Sequence, residues 1–427
     1  MKIAVYLNDG CHDGMDFSTP QLGNSGTGGT QYDTIMLIYA LSKFSNVELK
    51  VYHMGTNKLQ DGVKSWIVRD WDELIRLSKI HGNDILVFNA DINSPLPEEN
   101  GMKYIIWIHN YLSYDLIDAI SANNAIKRVV FVGREHYDHY IDHDIIRKSA
   151  FIYNMLDGRP FRFREFPDKP AVTYTGGLYR GKGFHVLASM WKDMIREVPE
   201  ARLYVVGSGK LYNKKAELGP LGVAAEDYEA EFSPYLMEGG RLLPSVKFCG
   251  TMGIEKTEIY YKTTVGVMNP SAETETLGMS AIGMEACGIP VVTRAANGLF
   301  DAVKHGRTGF LGRNYDEMKE YIILLLKDKA LNLELGRQAK EFTEKTFLPE
   351  LLVKQWLKLF DDVMNDRPCE FIRPTENFGN NSKRLKMMKH WLKEHHIPVI
   401  DSWRIKDFVR HKFPGLFLTL KKLLRRS

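Results

Sequence analysis

The chain has 427 residues, 44% of them apolar, and a formal net charge of +4. That length exceeds one comfortable core and predicts two ordinary domains plus an extra segment. The cysteines Cys11, Cys249, Cys287 and Cys369 lie far apart without metal-ligand spacing, which argues against a disulfide framework and for free thiols in a reducing compartment. The opening "MKIAVYLNDGC" holds too short an apolar run for an export signal. No window approaches the run of about 18 apolar residues that a membrane span needs.

Strand-like runs follow one another at 2–7, 47–53, 84–90, 103–109, 128–133 and 149–154, with helical patterns at 30–44 and 71–80 between them. Continuous apolar strands separated by amphipathic helices predict an α/β, doubly wound parallel sheet covered on both faces. A Pro- and Arg-rich linker at 157–170 interrupts the pattern, which restarts at 171–178. It continues through a helix at 183–198, strands at 202–209, 246–250, 264–270 and 290–293, and a closing helix at 349–366. The predicted architecture is two Rossmann-like domains, 1–160 and 171–365, facing a cleft, with a basic amphipathic extension at 366–427. Ligands in such sheets bind outside the carboxyl ends of the strands.

In the second domain "TGGLYRGKGFH" (175–185) follows a strand and enters a helix. Arg180 and Lys182 at that strand end suit a diphosphate, with a solvated basic turn as the alternative. "PSAETETLG" (270–278) follows another strand, so Glu275 lies in a strand-end loop. Thr276, Leu277 and Gly278 would present backbone N–H groups at a helix start, while Glu275 could accept from sugar hydroxyls. Phosphates and hydroxyls together specify a nucleotide sugar; a plain capped helix is the alternative. In the first domain "GNSGTGGTQ" (23–31), with Gly28 and Gly29, lets backbone approach a ligand or simply forms a flexible loop. His109 ends a strand, followed by Asn110. Asn154 and Asp157 read as turn formers.

The ordered set "GGLYRGKGF", "LYVVGSG", "VKFCG", "PSAETETLG", "EACGIPVV" and "NGLFDAVKHGRTGFL" resembles the second domain of family 4 glycosyltransferases, retaining enzymes of the two-domain type B architecture. The resemblance spans about residues 1–365 and is strongest over 171–312. It implies that Lys182 binds the donor diphosphate, that Glu275 meets the transferred sugar, and that the 276–278 amides hold phosphate or sugar. His109, at a strand's carboxyl end facing the cleft, is read as a residue beside the sugar, with a structural histidine as the alternative. Thr251 and Met252 would lie by the base, with Gly28 and Gly29 facing the donor. It further implies transfer from a nucleoside-diphosphate sugar to a glycan or lipid-linked acceptor, with no obligatory metal and no other cofactor.

Two positions depart from the family pattern. Gly177 stands where the family carries Arg, five residues before Lys182, and Arg180 is the candidate substitute. Gly283 replaces the second Glu, which in the family clamps the ribose. Glu285 lies two residues on, about 200° around a helix, and is a donor-binding candidate only if the helix register is distorted. These departures keep two alternatives open: a non-catalytic nucleotide-sugar-binding scaffold, or a sugar-nucleotide epimerase.

Residues 383–427 carry thirteen Lys or Arg and three acids, a net of +10, so the rest of the chain is net acidic. Basic residues mixed with Trp391, Trp403, Phe408, Phe413, Leu416 and Phe417 suit an anionic membrane surface; the alternatives are packing on the protein's own acidic body, with the apolar face docked on the N-terminal domain, or nucleic acid bound by charge alone. The expectation is a cytoplasmic protein, peripheral at the inner membrane face. Cutting the chain after Asp366 is expected to remove membrane binding and spare turnover.

Overall fold

A computed structural model describes residues 1–399 apart from 11–12, 91–94, 212–215 and 274, together with Lys412, Phe413 and Gly415. Of the predicted tail residues, Trp403, Phe408, Leu416 and Phe417 lie outside the described residues.

The first sheet has seven parallel strands: β1 (Lys2–Leu7), β2 (Glu48–His53), β3 (Lys64–Ile67), β4 (Ile85–Asn89), β5 (Lys103–Ile108), β6 (Ile126–Phe131) and β7 (Ser149–Phe151). Their order is β3-β2-β1-β4-β5-β6-β7. The second sheet uses β8 (Ala171–Thr175), β9 (Arg202–Val206), β12 (Val246–Gly250), β13 (Val265–Val267), β14 (Val291–Arg294) and β15 (Gly309–Gly312), in the order β12-β9-β8-β13-β14-β15. A short hairpin, β10 (Met237–Glu238) and β11 (Arg241–Leu242), stands apart. Both large sheets are parallel throughout. Strand order reverses beside β1 and beside β8, the switch points where such sheets open a crevice.

Local chemistry explains the helix boundaries. Asp70 accepts from the Glu73 N–H at 2.8 Å and starts the helix Trp71–Ile80. Pro349, whose missing N–H costs nothing at a first turn, opens the helix Pro349–Met364. That helix crosses back to the first domain, where buried Trp356 meets Trp107 edge to face at 5.1 Å and Lys103 Nζ donates to Val363 O at 2.8 Å.

Beyond this helix, the chain up to Glu394 is packed rather than free. The helix Lys383–Glu394 lies on the first domain, and Lys383 is 0% exposed between Glu135 (2.6 Å) and Asp138 (2.8 Å). Lys386 donates to His139 O, and Lys393 to Asp142 O at 2.7 Å. Removing Lys383 would leave the buried Glu135 carboxylate without its cation and Asp138 with Arg134 alone, a strongly destabilising change. Up to Glu394 the extension is therefore an integral part of the body. The expectation that this segment is a detachable membrane tail is corrected for Lys383–Glu394, whose lysines are buried against the first domain.

Candidate functional site

The carboxyl ends of both sheets face one cleft of about 880 Å³. Its second-domain floor is built where two turns touch. Gly183 ends the basic turn with φ +70°, and a Cβ there would lie 2.5 Å from Ser271 N, so only glycine lets the turns meet. Ser271 Oγ completes the contact by donating to Gly181 O at 2.8 Å.

This contact brings Lys182 and Glu275 together. Lys182 Nζ lies 2.7 Å from Glu275 Oε2, which also accepts from Asn269 Nδ2 at 2.6 Å. Asn269 sits just after β13 in a left-handed conformation, φ +38°. Its Oδ1 accepts from Ala272 N at 3.0 Å and lies 2.8 Å from Ser271 Oγ, so the Asn side chain is fixed from both ends. Cation and carboxylate are each less than one-fifth exposed. The charges line the cleft in a fixed geometry that a phosphate and a polyhydroxyl ring could both use. Gly278, φ +105°, begins the helix Met279–Ala286; a Cβ there would meet Met268 Cε at 2.7 Å.

The first domain supplies the opposite wall. His109 follows β5, 7% exposed, with its Nδ1 3.4 Å from Asp33 Oδ2. Asn154 Nδ2 donates to the same oxygen at 2.6 Å, and the His109 ring packs on Trp107 at 4.4 Å. Burial pushes the Asp33 carboxyl up, and the bonds from His109 and Asn154 oppose that shift. His109 Nε2 is buried and has no partner among the described residues. Thr276 Oγ1 reaches across the cleft to donate to His109 O at 2.7 Å.

Of the sequence-predicted residues, Lys182, Glu275, His109, Gly29, Thr251, Met252, Thr276, Leu277 and Gly278 line the cleft, as do Gly177 and Gly283. Gly28 is buried behind the wall as the N-cap of the helix Gly29–Phe44. Two expectations need correction. Arg180 is 66% exposed and paired with Glu231 at 2.8 Å, because its turn aims the guanidinium at the neighbouring helix, so it does not replace the arginine missing at Gly177. Glu285 is 0% exposed on the far side of its helix, accepting from Thr308 Oγ1 at 2.6 Å, and its carboxyl is held well above the usual range by burial. It cannot reach a nucleotide. Asp157 binds Arg159 through both oxygens, as a turn former would.

Sequence reasoning missed Asp33, Asn269 and Lys256, all of which line or shape this cleft. Asn269 could have been found as a polar residue ending an apolar strand. Asp33 sits within an apolar helical run, where a buried acid is the informative exception.

Residues 169–328 match the family model of the glycosyl transferases group 1. The second domain is a group 1 glycosyltransferase domain. The trehalose synthase of Pyrococcus horikoshii is 24% identical over 212 residues, 48% of this chain and 46% of that protein. The chain spans less than half the length of the first curated relatives it matches. Sucrose-phosphate synthase from Thermosynechococcus elongatus aligns over 86% of this chain and 100% of its own, with TM-score 0.61 and 17% identity. Anabaena HepE, solved in complex with UDP and glucose, aligns over 85% of this chain and 100% of its own, with TM-score 0.59 and 17% identity. These two solved structures share the fold, so the glycosyltransferase domain sits in the two-domain type B architecture expected from its sequence.

Proposed function

We propose that the chain is a retaining glycosyltransferase that moves a sugar from a nucleoside-diphosphate sugar to a glycan or glycolipid acceptor, as in surface polysaccharide assembly. The observation that carries this reading is the Lys182–Glu275–Asn269 constellation, set at the strand ends of a group 1 domain and facing His109. In the proposed reaction the bond between the sugar C1 and the diphosphate oxygen breaks. The acceptor oxygen bonds to C1 on the same face, and its proton leaves with the diphosphate. Lys182 and the 276–278 amides stabilise the charge that grows on the leaving group, which is where such a site contributes most. Glu275 holds hydroxyls of the sugar. The solved HepE complexes with UDP and glucose support a donor of this kind.

The test is a panel of nucleoside-diphosphate sugars with glycan acceptors, followed by NMR of the anomeric product and repeated with chelator. A retained anomeric configuration that survives chelation supports both halves of the reading. Binding without transfer favours the scaffold alternative, which Gly177 and Gly283 motivate. Isomerised donor without acceptor favours the epimerase.

A seat on an anionic membrane belongs to the same proposal, with a changed physical basis. The helix Lys383–Glu394 turns Lys383 and Lys386 inward, leaving Leu385, Met388 and Trp391 exposed at three-residue spacing. No helix among the described residues is long and apolar enough to cross a membrane. The outward face suits shallow insertion. Leu385→Ser with Trp391→Ser should then reduce sedimentation with anionic vesicles; undiminished binding removes this helix from the interface.

A further inference from the structure

The extension reaches both domains through one side chain. Asn380 Nδ2 donates to Glu135 Oε2 at 2.6 Å in the first domain and to Asn297 O at 3.2 Å in the second. Its Oδ1 accepts the Asn297 N–H at 3.1 Å. Asn377 Nδ2 and Lys383 Nζ also bind Glu135, at 2.9 and 2.6 Å, so the anchor is a fully buried carboxylate held from three sides.

Asn297 in turn carries the loop that holds Glu275. Its Nδ2 donates to Ala272 O at 2.7 Å, and the next residue, Gly298, donates its N–H to Glu275 O at 3.1 Å. A Cβ at Gly298 would lie 2.1 Å from Thr276 C, so the two backbones are in close contact. The loop they support is conformationally costly: Asn269 and Ala272 have φ of 38° and 57°, and Asn297 itself has 52°. Non-glycine residues in this region persist only where their surroundings over-determine them.

We propose that Asn380 is a positioning residue for the donor loop, acting through Asn297 to fix Glu275 and Thr276 in the cleft. This rests on the glycosyltransferase reading for its consequence, though not for its geometry. The extension then serves the site by holding a strained loop of the second domain while anchored on Glu135 of the first.

The experiment compares hydrogen exchange of peptides covering residues 268–279 in the full chain and in three variants. Asn380→Ala should speed exchange there at least about tenfold, the loss expected for even one hydrogen bond to a charged partner. Asn297→Gly keeps the left-handed backbone and cuts the other end of the tether, so it should have a similar effect. The double variant should add little to either single change, because both act on one chain of contacts. Lys386→Ala loosens the docked helix without touching Asn297, and should lower the melting temperature while leaving these peptides at the wild-type rate. In transfer assays Asn380→Ala should lower kcat more than it raises the donor KM. Unchanged exchange in Asn380→Ala, or equal acceleration by Lys386→Ala, overturns the proposal. If the wild-type chain transfers no sugar at all, the glycosyltransferase reading fails and the exchange comparison still decides the tether.

Discussion

Lys182 and Glu275 form an ion pair at 2.7 Å across the cleft floor, joining the residues assigned to the adjacent diphosphate and sugar of the donor. Each therefore orients the other, and a donor must share both. Lys182→Ala should weaken a nucleoside diphosphate far more than the free nucleoside in titration calorimetry. Glu275→Gln should cut transfer at least about tenfold, as for a lost charged hydrogen bond. It should leave diphosphate affinity the same or tighter, because Lys182 is released. Arg180→Ala should change little, since its partner is Glu231 at the surface. A nucleotide affinity that collapses in Glu275→Gln would place that carboxylate on the nucleotide rather than the sugar.

Gly283 lines the cleft, and a Cβ built on it meets nothing within 4 Å. Gly283→Glu therefore has room for its first atom, and it also gains roughly 0.5–1 kcal/mol of helix propensity. If the ribose lies at this end, the new carboxylate should tighten nucleotide binding about ten- to a hundredfold. Lys256 lines the same cavity. Melting temperature and nucleotide affinity need separate measurement, since a purely helical gain raises only the first. Unchanged affinity would show that the ribose is held elsewhere.

Which features were legible follows from the range of the interactions behind them. The strands 2–7 and 246–250 and the helix 71–80 were readable to the residue, because apolar runs and an N-cap Asp are local signals. The edge strand β3 was missed: three of its four residues are exposed, so it carries no buried run to detect. The site motifs were legible because they are contiguous. Arg180 was misassigned because its direction depends on Glu231, more than fifty residues away in the chain. The inward lysines of the helix Lys383–Glu394 were illegible for the same reason. A Lys reads as solvated until Glu135 and Asp138 are placed against it.

Asp33 is the residue through which His109 is oriented, with Asn154 securing the same carboxylate oxygen. Asp33→Ala should lower kcat for transfer while sparing nucleotide affinity, because its effects lie on the wall opposite Lys182. Nitrogen NMR of the imidazole should report a proton on His109 Nδ1 in the wild type, assigned by its disappearance in His109→Gln. Asp33→Ala should redistribute that proton between the two ring nitrogens, as expected when an orienting carboxylate is lost. A wild-type ring protonated only on Nε2 rules out this orientation.

Asp301 joins the two domains, with Oδ2 accepting the Glu135 N–H at 2.7 Å and Oδ1 accepting from Tyr153 OH at 3.0 Å. Its carboxyl is pushed up to about 7, chiefly by burial and further by the Glu135 charge, while the bonds from Glu135 N and Tyr153 and the nearby Lys304 oppose the shift. In the unfolded chain the same group titrates near its ordinary value of about 3.9. Between these values the folded protein keeps a proton that the unfolded chain has released. Stability from this group is therefore full below about pH 4, falls as pH rises, and levels off above about 7. Asp301→Asn retains the shape and removes the titration, so its melting temperature should gain on the wild type as pH is raised across that window. Chemical denaturation at several pH values between 4 and 8 measures the difference in slope. Parallel pH profiles for the two proteins would show that Asp301 does not hold its proton at the domain contact.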